Sequence, residues 1–347
     1  MRKVVTNKVK KFATYSGNAM KEKRQSPSLS SLNSDISKAV GVESSDAYNL
    51  KCLESDYTIS RMIGQGTFAT VWEALCKRTG QRYACKSLEK SENPGWRQEV
   101  RMCQRVQATS RTKTTKVMTV RDIYETQTEA FIISDLCTGG DLLEWMMRLC
   151  THSRQVYLTE LHALKMTRNM LRAAEACHKA GLAHLDLKPE NFCFRTADPS
   201  SELVLVDFGS AEPFARAPYA TESASYDPEM DDEVELSRLI GTAKYMSPEV
   251  WEGRFSSRSD VWSVGVILYA LLSNQLPFSI EEENTLFAES TTKVTPFLEE
   301  QMNQNLWSHV SPKCKTLVRN MLDPTPMNRA SATESLQEIN DLISLRE

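Results

Sequence analysis

The sequence lacks several features that mark particular classes of protein. None of its nine cysteines belongs to a Cys-x-x-Cys pair, which argues against a zinc site or a redox motif. Its longest apolar run, Val261 to Leu272, is 12 residues and contains a serine, whereas a membrane-spanning helix needs about 18 or more. Arg2 at the second position excludes N-myristoylation, which requires glycine there. We therefore expect reduced thiols, no transmembrane segment, and a cytoplasmic or nuclear location.

The sequence also has no large charge excess and no recognisable calcium loop. The net charge is -3, and 25% of residues are charged, so no overall field favours nucleic acid as a partner. No Asp-x-Asp-x-Asp-Gly segment occurs, and we expect no direct calcium binding. The first residues run into lysines rather than an apolar stretch, which argues against a secretory signal. With 347 residues and 41% hydrophobic residues, the composition is that of an ordinary globular protein.

The composition changes near residue 56. Residues 1–50 carry nine Lys/Arg against four Asp/Glu, and the stretch from Ser26 to Ser31 has little to bury. Residues 1–56 are therefore predicted to be a disordered, basic and serine-rich leader. Its simplest interpretation is a solvated tail. The alternative is a basic patch for an anionic membrane surface, for nuclear import or for a regulatory partner.

Beyond residue 56 the pattern of apolar residues changes from strand-like to helical. The runs around Ile59, Val71 and Ala84 have strand character, and alternation along the third run places Ala84 and Lys86 on one face. After Leu136 apolar residues recur at helical spacing, and Gly181 is placed to end one such helix. A strand-rich part followed by a helix-rich part predicts an α+β protein of two lobes with a cleft between them.

Five short motifs occur in one order along this region. They are Gly64-x-Gly66-x-Phe68-x-x-Val71, Ala84-x-Lys86, His184-x-Asp186-x-Lys188-x-x-Asn191, Asp207-Phe208-Gly209 and Ser247-Pro248-Glu249. Together they resemble the signature set of protein kinases, over about residues 57 to 340. The resemblance implies the two-lobed protein kinase fold, with a β-rich N-lobe (57–134), a hinge (135–140) and an α-helical C-lobe (141–345).

The resemblance also implies roles for individual residues, with ATP and Mg²⁺ as cofactors and proteins as substrates. Asp186 would accept or orient the substrate hydroxyl proton, and Lys188 would lie near the transferred phosphoryl group. Asn191 and Asp207 would hold the metal ions. Lys86 would hold the α- and β-phosphates and pair with Glu99, whose alternative is a solvated helix glutamate. The implied ATP-binding residues are Gly64, Gln65, Gly66, Thr67, Phe68, Val71, Ala84, Lys86, Ser134, Asp135, Cys137, Asp141 and Cys193.

Within the kinases, the motifs around Lys188 and Thr242 resemble serine/threonine kinases of the calcium/calmodulin-dependent group. The catalytic domain is similar to calcium-dependent kinases of plants and protists, but we expect no EF-hands and no room for a calmodulin-like domain after the last helix. Asp141 and Glu190 match acidic positions that contact the ribose or substrate arginines in basophilic relatives. A preference for basic residues in the substrate follows as a hypothesis.

Three positions depart from the family pattern: Ala69 replaces the third loop glycine, Ser247 replaces an alanine, and Leu185 replaces an arginine. In relatives that arginine can clamp a phosphate on the activation loop, which leucine cannot do. We therefore expect catalysis that does not require activation-loop phosphorylation. The alternatives left open are a pseudokinase scaffold that binds ATP without transfer and a phosphotransferase for a small metabolite.

Two further expectations concern the region after Asp207. Residues 221 to 235 include seven acids, which is typical of a solvated insertion; a partial gate that competes for basic substrate residues is the alternative. The resemblance to protein kinases also implies a buried ion pair between Glu249 and Arg329.

Overall fold

The computed structural model describes residues 52–66, 69–109, 116–152, 158–198, 200–214, 233–279 and 291–347. The chain divides into two compact units. The first takes in the described residues of Met1–Pro94, Val120–Leu136 and Trp145–Val156; the second takes in those of Gly95–Thr119, Cys137–Glu144 and Tyr157–Glu347. No helix in these ranges is long and apolar enough to cross a membrane.

The first unit is built on a five-stranded antiparallel sheet. Its strands are β1 (Tyr57–Gln65), β2 (Ala69–Cys76), β3 (Arg82–Glu89), β4 (Val120–Glu125) and β5 (Glu129–Asp135), in the spatial order β1-β2-β3-β5-β4. β-branched and aromatic residues are frequent in these strands, as expected for a pleated, partly buried surface. One side of the sheet is closed by a core of Leu53, Tyr57, Ala74, Cys76, Cys85, Phe131 and Ile133.

The second unit is mainly helical. Its helices are α1 (Trp96–Thr109), α3 (Glu160–Lys179), α4 (Pro248–Trp251), α5 (Ser257–Ser273), α6 (Val294–Met302), α7 (Pro312–Met321) and α8 (Ala332–Ser344). One more helix, α2 (Leu142–His152), spans the boundary between the ranges of the two units. Three two-stranded ladders pair β6 (Leu182–Ala183) with β9 (Glu212–Pro213), β7 (Phe192–Phe194) with β8 (Leu203–Leu205), and β10 (Val234–Glu235) with β11 (Arg254–Phe255). The predicted α+β class is confirmed.

Helix α3 begins and ends at residues that favour helix termini. The hydroxyl of Thr159 accepts the backbone N–H of His162 and so caps the first turn. At the other end Gly181 adopts a left-handed conformation with φ 72°, as the sequence predicted for a residue that ends the helix. The chain is thereby turned directly into β6 and the segment that follows it.

Helix α5 is buried along almost its whole length. Ser256 and Ser259 form a capping box at its start, and Asn274, with φ 56°, ends it. The apolar run from Val261 to Leu272 lies within this helix and is buried in the core of the second unit. An acidic residue, Asp260, stands immediately before that run and is fully buried.

The predicted ion pair between Glu249 and Arg329 is confirmed. Arg329 donates from Nη1 to Glu249 Oε1 at 2.7 Å and from Nη2 to Oε2 at 2.9 Å. Both side chains are buried, and Ser259 Oγ donates to Glu249 Oε1 at 2.7 Å. This bidentate contact joins helix α4 to the loop before helix α8.

Candidate active site

The carboxylate of Asp186 lies at the centre of a group of polar side chains. Lys188 Nζ donates to Asp186 Oδ2 at 2.7 Å, and Thr242 Oγ1 donates to Oδ1 at 2.6 Å. Lys188 Nζ also donates to Thr242 Oγ1 at 2.9 Å, which closes a triangle of contacts. Asn191 Nδ2 donates to the backbone oxygen of Asp186 at 2.8 Å and to its Oδ2 at 3.2 Å. The structure thus brings together three of the residues predicted from one short motif, and adds a threonine 56 residues away in the sequence.

The backbone before Asp186 is held by a buried carboxylate on helix α5. Asp260 Oδ2 accepts the N–H of His184 at 2.9 Å, and Oδ1 accepts the N–H of Leu185 at 2.9 Å. His178 Nε2 lies 2.9 Å from Asp260 Oδ2. Burial acts to raise the pKa of Asp260, but the hydrogen bond and charge of His178, together with the backbone N–H of His184, outweigh it and lower that pKa. Asp260 therefore stays ionised and fixes the two residues that precede Asp186.

His184 has a structural role in this arrangement. It is fully buried, and its ring packs edge-on against Phe208 with centroids 5.2 Å apart. Burial lowers its pKa, although Asp260 and other nearby carboxylates oppose the shift. A neutral, enclosed imidazole is suited to packing rather than to proton transfer with a substrate.

Asn191 and Asp207 lie near the same end of the ladder of β7 and β8. The backbone N–H of Val206 donates to the backbone oxygen of Asn191 at 2.8 Å, so Asp207 is one residue beyond the partner of Asn191. Because both described bonds of the Asn191 amide run through its nitrogen, its oxygen is the atom suited to coordinate a cation. Asp207 has φ 65°, an uncommon backbone conformation that is found most often at functional sites. An amide and a carboxylate oxygen form the hard donor set that fits Mg²⁺.

Glu99 reaches the same region from helix α1. Its side chain is 2% exposed, and a methyl group added at Gly209 would lie 3.8 Å from Glu99 Oε2. The alternative of a solvated helix glutamate is therefore wrong, because this carboxylate is enclosed beside the Asp207-Phe208-Gly209 motif. Its pairing with Lys86 stays a prediction.

The predicted nucleotide residues of the first unit occupy neighbouring positions of its sheet. Val71 pairs with Lys86 across β2 and β3, and Ala84 pairs with Ser134 across β3 and β5. Cross-strand partners share a face, so Val71 and Lys86 project together. Ser134 is 9% exposed, which fits a small side chain at the back of a pocket.

The glycine-rich turn contributes Gly64 and Gln65, which pair with Val71 and Thr70. A Cβ at Gly64 or Gly66 would make only ordinary contacts, at 3.7 Å with Val71 and 3.5 Å with the oxygen of Ala69. Neither glycine is therefore required by the hairpin itself. The role of the two glycines in allowing a ligand to approach the backbone closely stays a prediction.

The predicted hinge continues into a segment that lies along β7. The N–H of Gly139 donates to the oxygen of Phe194 at 3.1 Å, and Asp141 and Cys193 form an isolated bridge. Desolvation raises the pKa of Asp141, and the same cause raises that of Glu190, where Asp141 and Asp186 add to the effect. These acids thus form one region of concentrated negative charge. Cys137 is half-buried at the start of this segment.

The side chain of Asp135, in the predicted hinge, is engaged within the first unit. Its carboxylate accepts bonds from Arg121 at 2.8 and 3.1 Å, so any contact with adenine would use the backbone of Asp135. Thr67 and Phe68 lie outside the described residues. Sequence reasoning missed the role of Asp260; the signal was an acid placed directly before a long apolar run.

The chain belongs to the protein kinase family, whose protein kinase domain it matches over residues 57–339. The five motifs, the antiparallel sheet and the helical second unit are those of the two-lobed protein kinase fold. Use of ATP and a divalent metal ion is general in this family.

Among the similar proteins are calcium-dependent protein kinases of plants. Calcium-dependent protein kinase 12 of Arabidopsis thaliana is 30% identical over 292 residues, which cover 83% of this chain and 54% of that protein. Calcium-dependent protein kinase SK5 of Glycine max is 31% identical over 288 residues, covering 81% and 50%. Calcium-dependent protein kinase 2 of Arabidopsis thaliana is 32% identical over 286 residues, covering 81% and 39%. The chain therefore spans about half the length of the curated relatives it matches.

Proposed function

We propose that this protein is a serine/threonine protein kinase that transfers the γ-phosphoryl group of ATP to hydroxyl groups of protein substrates. The observation that carries the proposal is the group around Asp186. Its two carboxylate oxygens are held by Lys188 and Thr242, at 2.7 and 2.6 Å, in a position fixed by Asp260. A carboxylate held in this way is suited to orient a substrate hydroxyl and to accept its proton.

Magnesium is the metal that we propose for this site. Bound Mg²⁺ and ATP supply the phosphoryl group and neutralise the charge that develops on it. Asn191 and Asp207 are the proposed metal-holding residues, and Lys86 and Glu99 the residues that orient the phosphates. Lys188 places a cation beside Asp186, where it would balance charge on the transferred group.

We propose a preference for substrates with basic residues before the phosphorylated position. Asp141 and Glu190 support it, since desolvation disfavours the charged form of both carboxylates and the charge of Asp141 adds to the effect at Glu190, so that a nearby cation would stabilise them in the ionised form. An arginine side chain bound between them would replace lost hydration with charge-assisted bonds. An arrayed peptide library that shows no enrichment of upstream Arg or Lys would remove this part of the proposal.

We propose that activation-loop phosphorylation is not required. Leu185 is 6% exposed and apolar, so it offers no cation to hold a phosphate. Phosphatase treatment should leave activity unchanged; loss of activity that is restored by rephosphorylation of the loop would refute this point. The acidic stretch that could act as a partial gate lies largely outside the described residues. Residues 1–51 of the predicted basic leader, with its possible regulatory partner, also lie outside them, whereas residues 52–56 are helical and Leu53 is buried in the core of the first unit.

We propose that the chain itself does not bind calcium, since the sequence has no Asp-x-Asp-x-Asp-Gly loop. The plant relatives are named for calcium dependence, so a test of calcium on this chain shows whether it shares that property. Addition of calcium to the purified chain should change neither its activity nor its melting temperature. A rise in either on calcium addition, reversed by chelation, would contradict the proposal.

One experiment separates the proposed function from the alternatives. The protein is incubated with γ-labelled ATP and Mg²⁺, with and without a serine peptide that carries upstream arginines, beside Asp186→Asn. Transfer to the peptide by the wild type, lost in Asp186→Asn, supports the proposal. Binding of ATP without transfer supports a pseudokinase scaffold, and transfer only to small hydroxyl compounds supports a metabolite phosphotransferase.

A further inference from the structure

Leu185, directly before Asp186, belongs to a hydrophobic cluster. The buried members of this cluster, called here the Leu185 cluster, are Ala183, Leu185, Phe214, Met246, Val250 and Phe255, with Val234, Leu236 and Trp251 packed against them. The position that would carry a cation in the arginine-containing relatives is thus enclosed by apolar side chains. An arginine here would have to place its charge among them, at a large cost in desolvation.

The cluster joins parts of the chain that lie far apart in the sequence. Phe214 stacks on Phe255 with ring centroids 6.2 Å apart. Val234 pairs with Phe255 in the ladder of β10 and β11, and the N–H of Leu236 donates to the oxygen of Gly253 at 2.7 Å. Residues on both sides of positions 215–232 are therefore attached to the same apolar centre.

Two charged contacts support the same ladder. Arg254 on β11 forms ion pairs with Glu233, which precedes β10, and with Glu252. Arg254 is 42% exposed, so solvent weakens these pairs. Burial of the apolar side chains of Val234 and Leu236, rather than the ion pairs, therefore contributes more to holding the segment 233–236 against the cluster.

The backbone of Leu185 links this cluster to the catalytic carboxylate. Leu185 has φ 62°, a left-handed conformation that is unusual for leucine and is held by the bond from its N–H to Asp260. A side chain at Gly241, whose own φ is 107°, would overlap the carbonyl oxygen of Leu185. The next residue, Thr242, then reaches Asp186 Oδ1 at 2.6 Å. Leu185 thus touches the cluster with its side chain and the segment before Thr242 with its carbonyl.

We propose that Leu185 is a positioning residue for phosphoryl transfer: its burial in the cluster holds the segment 233–246 so that Thr242 and Asp186 stay in contact. The inference rests on the proposed kinase function and deepens it. In the arginine-containing relatives a phosphate on the activation loop, bound to that arginine, can hold this segment. Here burial of Leu185 holds it, and no phosphorylation is needed.

The test compares Leu185→Ala with a matched control, Leu317→Ala. Leu317 is also fully buried, but it lies on helix α7, outside the cluster. Each purified variant is assayed for kcat and KM with a serine peptide, at a temperature where thermal scans show all variants folded. Leu185→Ala should lower kcat about 10- to 100-fold with the KM for ATP unchanged, because a small misplacement of reacting groups has an effect of that size. Leu317→Ala should lower the melting temperature but keep kcat.

Two more variants keep the inference testable if Leu185→Ala does not fold. Leu185→Met, which conserves the side-chain volume, should keep kcat near the wild-type value. Leu236→Ala removes a half-buried side chain that packs against the cluster, and it should lower kcat in the same direction. A folded Leu185→Ala or Leu236→Ala with wild-type kcat would overturn the inference, as would an equal loss of kcat in Leu317→Ala. Absence of transfer by the wild type would instead overturn the proposed function, so the two failures are distinguishable.

Discussion

Replacement of Arg329 by methionine should destabilise the second unit by about 3 to 5 kcal/mol, the usual cost of leaving one partner of a buried ion pair alone. Arg329 is 0% exposed and Glu249 2%, so water cannot replace the lost guanidinium. Arg329 also donates to the backbone oxygen of Asp323 at 2.8 Å and lies 5.1 Å from the ring centre of Trp262. Truncation therefore removes several contacts and strands a carboxylate.

The magnitude can be followed by thermal or urea unfolding of the purified protein. For a unit of this size about 2 to 4 °C is lost per kcal/mol, so the melting temperature should fall by roughly 6 to 20 °C. The matched control is Arg61→Met, which breaks an ion pair of 3.2 Å with Glu73 in which the arginine is 74% exposed. That change should cost no more than about 1 kcal/mol.

The pH dependence gives a second measure of the same pair. In the native protein burial acts to raise the pKa of Glu249, but Arg329 and two serines outweigh it and lower that pKa. A carboxyl whose pKa is lowered on folding stabilises the protein above its unfolded pKa of about 4.3, and this stabilisation is lost as pH falls through the folded value. In Arg329→Met the guanidinium is gone and only the serine hydrogen bonds oppose burial, so protonation of Glu249 should stabilise the variant. The difference in stability between wild type and variant should therefore shrink in acid; a difference below 1 kcal/mol at neutral pH, or one independent of pH, would refute this reasoning.

Three further predictions concern activity. Gly241→Ala should lower kcat without a large loss of nucleotide affinity, since its methyl would overlap the Leu185 carbonyl; unchanged kcat would contradict the close approach. Ser134→Met should abolish inhibition by bulky ATP-site inhibitors, to which the small Ser134 predicts sensitivity, and unchanged inhibition would show that Ser134 does not border their pocket. Because desolvation raises the pKa of Asp141 and Glu190, these acids become neutral at a higher pH than usual. The KM for an arginine-containing peptide should accordingly rise in mild acid, while that of a matched peptide without arginine rises less; equal changes would exclude these acids as the arginine site.

The sequence was sufficient for those parts of the site that lie within short motifs. Asp186, Lys188 and Asn191 are close in the sequence, and a loop of a few residues can bring them together without help from distant elements. The buried pair of Glu249 and Arg329 was also predicted, but only through the family resemblance. Nothing local to either residue indicates a partner 80 positions away.

The surroundings of Leu185 could not be predicted in the same way. The sequence shows that an arginine is absent, which limits how the activation loop can be held. It does not show that Phe214 and Phe255 converge on the leucine, because that packing depends on the ends of α3 and the ladder of β10 and β11. Likewise the role of Asp260 was not predicted, because the two bonds that fix His184 and Leu185 are made to backbone N–H groups, which leave no trace in residue identity.

The measurement that bears most directly on the assigned chemistry is steady-state phosphoryl transfer to an arginine-containing serine peptide by wild type, Asp186→Asn and Glu190→Gln, with ATP binding measured in parallel. Asp186→Asn should lower kcat by about 10²-fold or more, the usual contribution of a positioned acid or base, while ATP affinity is kept. Glu190→Gln should raise the peptide KM and leave kcat near the wild-type value. Wild-type turnover in Asp186→Asn, or ATP binding by the wild type with no transfer to any peptide, would contradict the assignment of Asp186 as the residue that activates the substrate hydroxyl.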